Sequence, residues 1–281
     1  MRTGFWPSIF AGHFFGLALT LVPIMEAQDA SDLAPDPHFR EELGINQYTT
    51  PSIQQLFNTL DALKPIPVQE LTRPLRAIRI DNRARFALSF GVLIGDGFLA
   101  VEAEETKSME PLGREMLRRA KGLGVQQRVA RHTKQLLDLA RQSDWRGLRK
   151  ELVITQKDVE TAMLDLRDEE MVHLLSLGGW IRGLEIGAAS VAADFSAERA
   201  AKLRQLDLLD YYLERLGTLS PPLKSTPLIS RIISGLEDVR QKLGDTPVLS
   251  REDVLAIQTT ARSLVGLIED DSSTATAIRS E

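Results

Sequence analysis

Residues 86–101 read FALSFGVLIGDGFLAV and residues 174–195 read LLSLGGWIRGLEIGAASVAADF. In the first stretch Ser89 and Asp96 are the only polar side chains; in the second, the charges are Arg182, Glu185 and Asp194. A helix that is apolar on every side has to be surrounded by other helices. Glycine inside a helix costs about 1 kcal/mol relative to alanine, so its repeated use in both stretches implies a compensating gain. Gly179, Gly183 and Gly187 lie four apart, and Gly91 and Gly95 repeat that spacing. Small residues at this spacing let two backbones approach closely. These two segments are therefore expected to be central helices that cross at their glycine faces.

The rest of the chain surrounds them with amphipathic helices. Apolar residues recur at helical spacing nearly throughout, with no alternating stretch. Thr50-Pro51 opens a helix striped by Ile53, Leu56, Phe57 and Leu60 and stopped by Pro65 and Pro67. Further helices are expected over 82–105, 110–121, 125–141, 145–193 (continuous or kinked), 196–217, 226–244 and 250–269. Ser250 with Asp253 forms a variant capping box at the start of the last of these. Leu152, Val159, Met163 and Leu166 form a seam assigned to the intramolecular core. The fold class is all-α, a multi-helix bundle with two central glycine-bearing apolar helices.

Upstream, Arg2 precedes an apolar run of 14 residues from Ile9 to Val22, then Pro23, with small residues at Ala27 and Ala30. That order is a secretory signal peptide, and the run falls short of the roughly 20 residues that span a bilayer. Residues 1–27 are assigned as the signal peptide; an uncleaved N-terminal membrane anchor is the rival reading. Residues 28–49 read as an acidic flexible linker, 50–270 as one helical domain and 271–281 as a disordered tail. The protein is expected to be exported, periplasmic or secreted.

Composition removes several functions. The chain of 281 residues has no cysteine, which excludes disulfide scaffolds, thiol nucleophiles and Cys-ligated metals. A net charge of −5 with 6% aromatics argues against a nucleic-acid binder. There is no Gly-x-Ser-x-Gly, no phosphate loop and no His-Glu-x-x-His. No cofactor is implied.

Three constellations remain. Asp96 and Arg182 each stand beside a glycine of the proposed crossing, and a buried guanidinium cannot shed its charge. Pairing them, with Glu185 one turn away, gives either a register-fixing ion pair or the polar lining of a ligand site, and a cavity beside Asp96 favours the latter. Glu170 and His173 have the i, i+3 spacing used by carboxylate-bridged metal sites, in a single copy. Residues 114–150 carry a local charge of +8, with Arg118, Arg119, Lys121, Arg128, Arg131 and Lys134 at their centre, followed by −5 over 151–170. The two blocks either face each other or present a basic surface to an anionic envelope polymer, a lipid surface or an envelope protein. The sequence thus points to a non-catalytic interaction or scaffold module of the cell envelope. The alternatives are a ligand- or metal-binding helical bundle, and a carboxylate-dependent hydrolase acting on a cell-wall component.

Overall fold

A computed structural model describes residues 53–75, 82–245 and 248–270, and all of the regular structure in them is helical. The helices are α1 Ile53–Ala62, α2 Val68–Leu71, α3 Arg83–Glu102, α4 Thr106–Gly122, α5 Gln126–Arg141, α6 Trp145–Asp165, α7 Glu169–Ala193, α8 Ala197–Ala201, α9 Leu206–Gly217, α10 Pro221–Lys224, α11 Pro227–Asp245 and α12 Arg251–Glu269. The expected signal peptide, the linker, the Thr50-Pro51 helix start and the C-terminal tail lie outside the described residues.

The two stretches that decide the fold are α3 and α7, and they form the most extensive helix pair. Every residue of α3 from Ala84 to Val101 is buried. By length and composition α3 could cross a membrane; in the bundle its apolar stretch is enclosed by protein. Helix α12 lies along α7, α4 leans on α3, and α5 and α6 continue from α4 as successive neighbours. Helices α9 and α11 complete the layer beside α12, and α1 rests on α6 and α7.

Side-chain caps define several starts. Asn82 accepts from the Arg85 amide at 2.9 Å, Asp144 from Gly147 at 2.9 Å and Ser196 from Arg199 at 3.2 Å. Ser250 and Asp253 form the reciprocal capping box that their spacing predicts. The turns between α3 and α7 each carry one residue in the left-handed region: Glu104, Gly124, Ser143 and Arg167. Three of these are not glycine, so composition does not announce them. Arg167 splits the expected 145–193 helix into α6 and α7. It also leaves Leu166 outside the seam, at 55% exposure, while Leu152, Val159 and Met163 are buried. Helix α4 starts a turn before the expected 110 and takes Pro111 inside it. The expected 196–217 helix is likewise two, α8 and α9, joined by residues 202–205.

The glycine crossing is real, but it is carried by a shifted set of positions. A Cβ built on Gly91 would lie 1.9 Å from the Leu175 carbonyl oxygen, and one on Gly178 would lie 2.0 Å from that of Leu88. These contacts are backbone on backbone, with no side chain to move aside. Gly179 faces Gly91 at an ordinary 3.5 Å. Gly187 does not meet α3 and faces Leu203 and Leu63 instead. An α-helix turns about 100° per residue, so each step of four advances the stripe by roughly 40° around α7. The stripe therefore leaves the α3 contact as it runs toward α8.

This geometry ranks substitutions. Gly91→Ala and Gly178→Ala should each destabilise the protein by about 2–3 kcal/mol, since the overpacking exceeds the gain in helix propensity. Gly97, where a Cβ meets nothing within 4 Å, should gain about 0.5–1 kcal/mol as alanine. Urea unfolding of the three variants checks the order; equal effects at Gly91 and Gly97 would refute the close crossing.

Candidate functional site

Charged side chains inside the bundle form one continuous spine. Arg182, 1% exposed, donates from Nε to Asp96 Oδ1 at 2.8 Å, from Nη1 to Glu185 Oε2 at 2.6 Å and from Nη2 to the Leu71 carbonyl at 2.7 Å. Arg73 donates to Asp96 Oδ1 at 3.1 Å and Oδ2 at 2.5 Å, and its Nη1 lies 3.5 Å from Glu269 Oε2. Glu269 accepts from Arg119 at 3.1 Å, Arg119 also donates to Glu115 at 2.9 Å, and Arg118 donates to Glu115 at 2.8 and 2.6 Å. At the other end Arg262 donates to Glu185 Oε1 at 3.1 Å. The expected trio Asp96, Arg182 and Glu185 is thus brought together, within a longer chain of alternating sign.

The electrostatics follow from this alternation. Burial works against the charge on Arg73, and the Asp96, Glu269 and Glu185 carboxylates outweigh it, so its pKa is raised. Burial likewise pushes the Glu115 carboxyl up, but hydrogen bonds from Arg118 and Arg119 hold it below the ordinary glutamate range. A cavity of about 340 Å³ does open beside Asp96, lined by Arg73, Leu99, Ser108 and Pro111 among others. Both carboxylate oxygens already accept from arginine, so the group facing that space is one member of a closed ion pair.

The basic segment divides. Arg119 is a correction: it is 1% exposed, and its Nη1 also reaches the Ser89 carbonyl oxygen. A guanidinium on the α3-facing side of α4 is drawn inward by the carboxylates of Glu115 and Glu269, so it cannot serve an outer surface. Arg118 is half-buried on Glu115. On α5, Arg131 donates to Asp158 at 2.9 Å and Arg128 to Asp165 at 3.3 Å, both on α6. Between the same helices, buried His132 meets Glu151 at 2.7 Å through Nδ1 and Asp158 at 2.8 Å through Nε2. Opposite blocks therefore face each other across α5 and α6, while Lys121 and Lys134 stay exposed.

Glu170 and His173 take separate partners. Glu170 accepts from the Ser220 amide at 2.5 Å and hydroxyl at 3.2 Å, at the start of α10, while His173 Nδ1 meets the Tyr211 hydroxyl at 3.0 Å. Among the described residues no group of three or more His, Asp or Glu side chains is arranged to hold a metal ion.

A larger recess than the one beside Asp96 lies elsewhere. A cavity of about 680 Å³ runs along α7, floored by Gly179, Gly183 and Gly187 with Trp180, Leu184 and Leu175 beside them. Gly91, Ile94 and Phe98 of α3 form one wall, Asn58 and Thr59 of α1 another, and residues 202–208 close a third. Trp180 Nε1 donates to Gln205 Oε1 at 3.0 Å, tying the α8–α9 link to the floor. Beneath it, Ser176 shares a 2.8 Å hydrogen bond with Tyr212, whose phenol pKa burial pushes up. The volume falls within the roughly 300–1,000 Å³ of small-molecule sites. Reasoning from the sequence missed this recess, although its floor is the glycine stripe that the sequence displays.

Two predictions follow the charges. Asp96→Asn should lower stability by about 3–5 kcal/mol in urea unfolding, because it leaves buried Arg182 and half-buried Arg73 short of negative charge. A loss under about 1 kcal/mol would contradict the spine. For Asp158, partial burial raises the carboxyl, but hydrogen bonding from His132 and the nearby Arg131 and Arg128 outweigh it and hold the pKa below its ordinary value. A depressed carboxyl contributes stability above its unfolded pKa and loses it as pH falls through the folded one. Asp158→Asn should therefore unfold at a lower temperature than the parent at pH 7, and the gap should begin to narrow only as pH falls below about 4 and keep narrowing with further acid. A gap that is absent at pH 7, or that widens as the pH is lowered below about 4, would contradict the pairing.

Compared with known proteins, this chain matches no family model, no curated sequence and no solved structure, so its site is read from its own geometry.

Proposed function

We propose that this is an exported, non-catalytic binding protein that holds a largely apolar small molecule in the cavity along α7. The observation that carries this reading is the recess of about 680 Å³ with a glycine floor and walls from α1, α3 and the α8–α9 link. A packed interior has few voids larger than a water molecule, so a space of this size between helices is a feature to be filled. The ionisable groups a hydrolase would use are committed elsewhere: Asp96 and Glu185 both accept from arginines of the spine. Docking through a basic face ranks below the cavity, since Arg119 is buried and Arg128 and Arg131 are paired with α6 carboxylates. Export rests on the order of charge, apolar run and small residues over 1–27.

The test is titration of the purified protein with a neutral, polarity-sensitive dye such as N-phenylnaphthylamine. Saturable, blue-shifted binding of one dye per chain is expected, and a hundredfold excess of dye over its Kd should add about 2.7 kcal/mol of stability. Leu208→Trp, which places an indole at the cavity wall, should abolish binding without lowering the unfolding midpoint. Absence of saturable binding, or binding indifferent to Leu208→Trp, would overturn the reading.

A further inference from the structure

Helix α6 carries four cations, Arg146, Arg149, Lys150 and Lys157, and four carboxylates, Glu151, Asp158, Glu160 and Asp165. The fold separates the two signs. Glu151 and Glu160 are buried, the first on His132 and the second on Gln156. Asp158 meets Arg131 and His132, and Asp165 meets Arg128, all three on α5. Arg149 turns to Asp61 and Glu102. Arg146, Lys150 and Lys157 are left exposed, with no ion pair among the described residues. At about 100° per residue, Lys150 and Lys157 stand about 40° and about 20° around the axis from Arg146, opposite buried Leu148, Leu152 and Val159. Ile154, 39% exposed, shares that side.

We propose that this face of α6 docks on an anionic phospholipid bilayer, with Arg146, Lys150 and Lys157 at the headgroup phosphates and Ile154 at the acyl boundary. Charge complementarity carries the assignment. The chain's net charge of −5 opposes approach to an anionic surface, and this face reverses that sign locally. Each cation held near such a bilayer adds attraction that fades within a Debye length. Ile154 selects a bilayer over a soluble polyanion, because the membrane interface offers an apolar phase directly beneath its phosphates. The stems of Lys150 and Lys157 can lie along that boundary while their ammonium groups stay among the headgroups. None of the four residues lines the α7 cavity, so the docking face stands apart from the binding function.

The experiment is cosedimentation of the purified protein with phosphatidylcholine vesicles containing about one-third phosphatidylglycerol, against vesicles of phosphatidylcholine alone. Binding to the anionic vesicles is expected, and raising salt from about 0.1 M to about 1 M, which shortens the Debye length from about 10 Å to about 3 Å, should release it. The triple variant Arg146→Gln, Lys150→Gln, Lys157→Gln should bind about a hundredfold more weakly, on the scale of roughly fivefold per cation, with its urea midpoint unchanged. A matched triple on α4 and α11, Lys107→Gln, Arg231→Gln, Lys242→Gln, makes the same change in net charge and should lose less than about fivefold. Ile154→Ser should weaken binding by roughly three- to tenfold. Equal binding to the two kinds of vesicle, or equal losses in the two triple variants, would overturn the proposal. Binding indifferent to Ile154→Ser would assign the face to a soluble polyanion and overturn the bilayer. Each of these failures leaves the cavity function standing, since that is read from dye binding without vesicles.

Discussion

The backbone contact between α3 and α7 is the constraint on which the rest of the structure depends. With Gly91 against the Leu175 carbonyl and Gly178 against that of Leu88, there is no room for a Cβ on either side. The consequence one turn along is electrostatic. At Gly95 the missing side chain is replaced by the stem of Arg182, whose Cγ and Cβ would lie 2.6 and 2.9 Å from a Cβ there. That placement aims the guanidinium at Asp96, the next residue of α3. Close packing and the central ion pair are thus one arrangement: any residue larger than glycine at 95 would displace the arginine that Asp96 needs.

A charge placed this deep has to be answered, and the answer propagates. Desolvating an ion costs several kcal/mol, recovered only when good partners saturate it. Arg182 needs Asp96 and Glu185, Asp96 takes Arg73, Arg73 approaches Glu269, and Glu269 takes Arg119. Through these pairs α3, α4, α7, α12 and the segment after α2 are fixed in one register. Arg85 reinforces the same junction, donating to the carbonyls of Leu267, Ile268 and Asp270 where α12 ends. A purely apolar core would tolerate sliding of its helices. Alternating buried charges do not, since a shift of one turn brings like charges together.

Much of this was legible in the residues. The all-round apolarity of 86–101 and 174–195 placed α3 and α7 at the centre, and glycine neighbours marked Asp96 and Arg182 as a pair. Arg73, Arg119 and Glu269 were not legible as their partners. They are far apart in sequence, and nothing in a linear pattern distinguishes an inward arginine on α4 from an outward one. Arg119 read as surface because it stood among basic residues; only the carboxylate at the end of α12 turns it inward. The break at Arg167 was hidden for a different reason. A non-glycine residue in a left-handed turn leaves no compositional mark.

The glycine stripe of α7 shows how one pattern can serve two purposes. Residues four apart on a helix of 3.6 per turn do not form a straight face; they wind slowly around the axis. At Gly179 the stripe still touches Gly91, at Gly183 it lines open space, and by Gly187 it has reached Leu203 and Leu63. The winding carries the stripe out of contact with α3 while that surface of α7 remains bare of side chains, and α1 and the α8–α9 link line the space beside it. A leucine at 183 would put its side chain into this space, whereas at 187 even a Cβ already meets Leu203 at 3.3 Å. The small residues that let α3 and α7 touch at one end therefore leave a smooth-floored recess at the other, and the recess is a geometric consequence of extending the crossing pattern beyond the crossing.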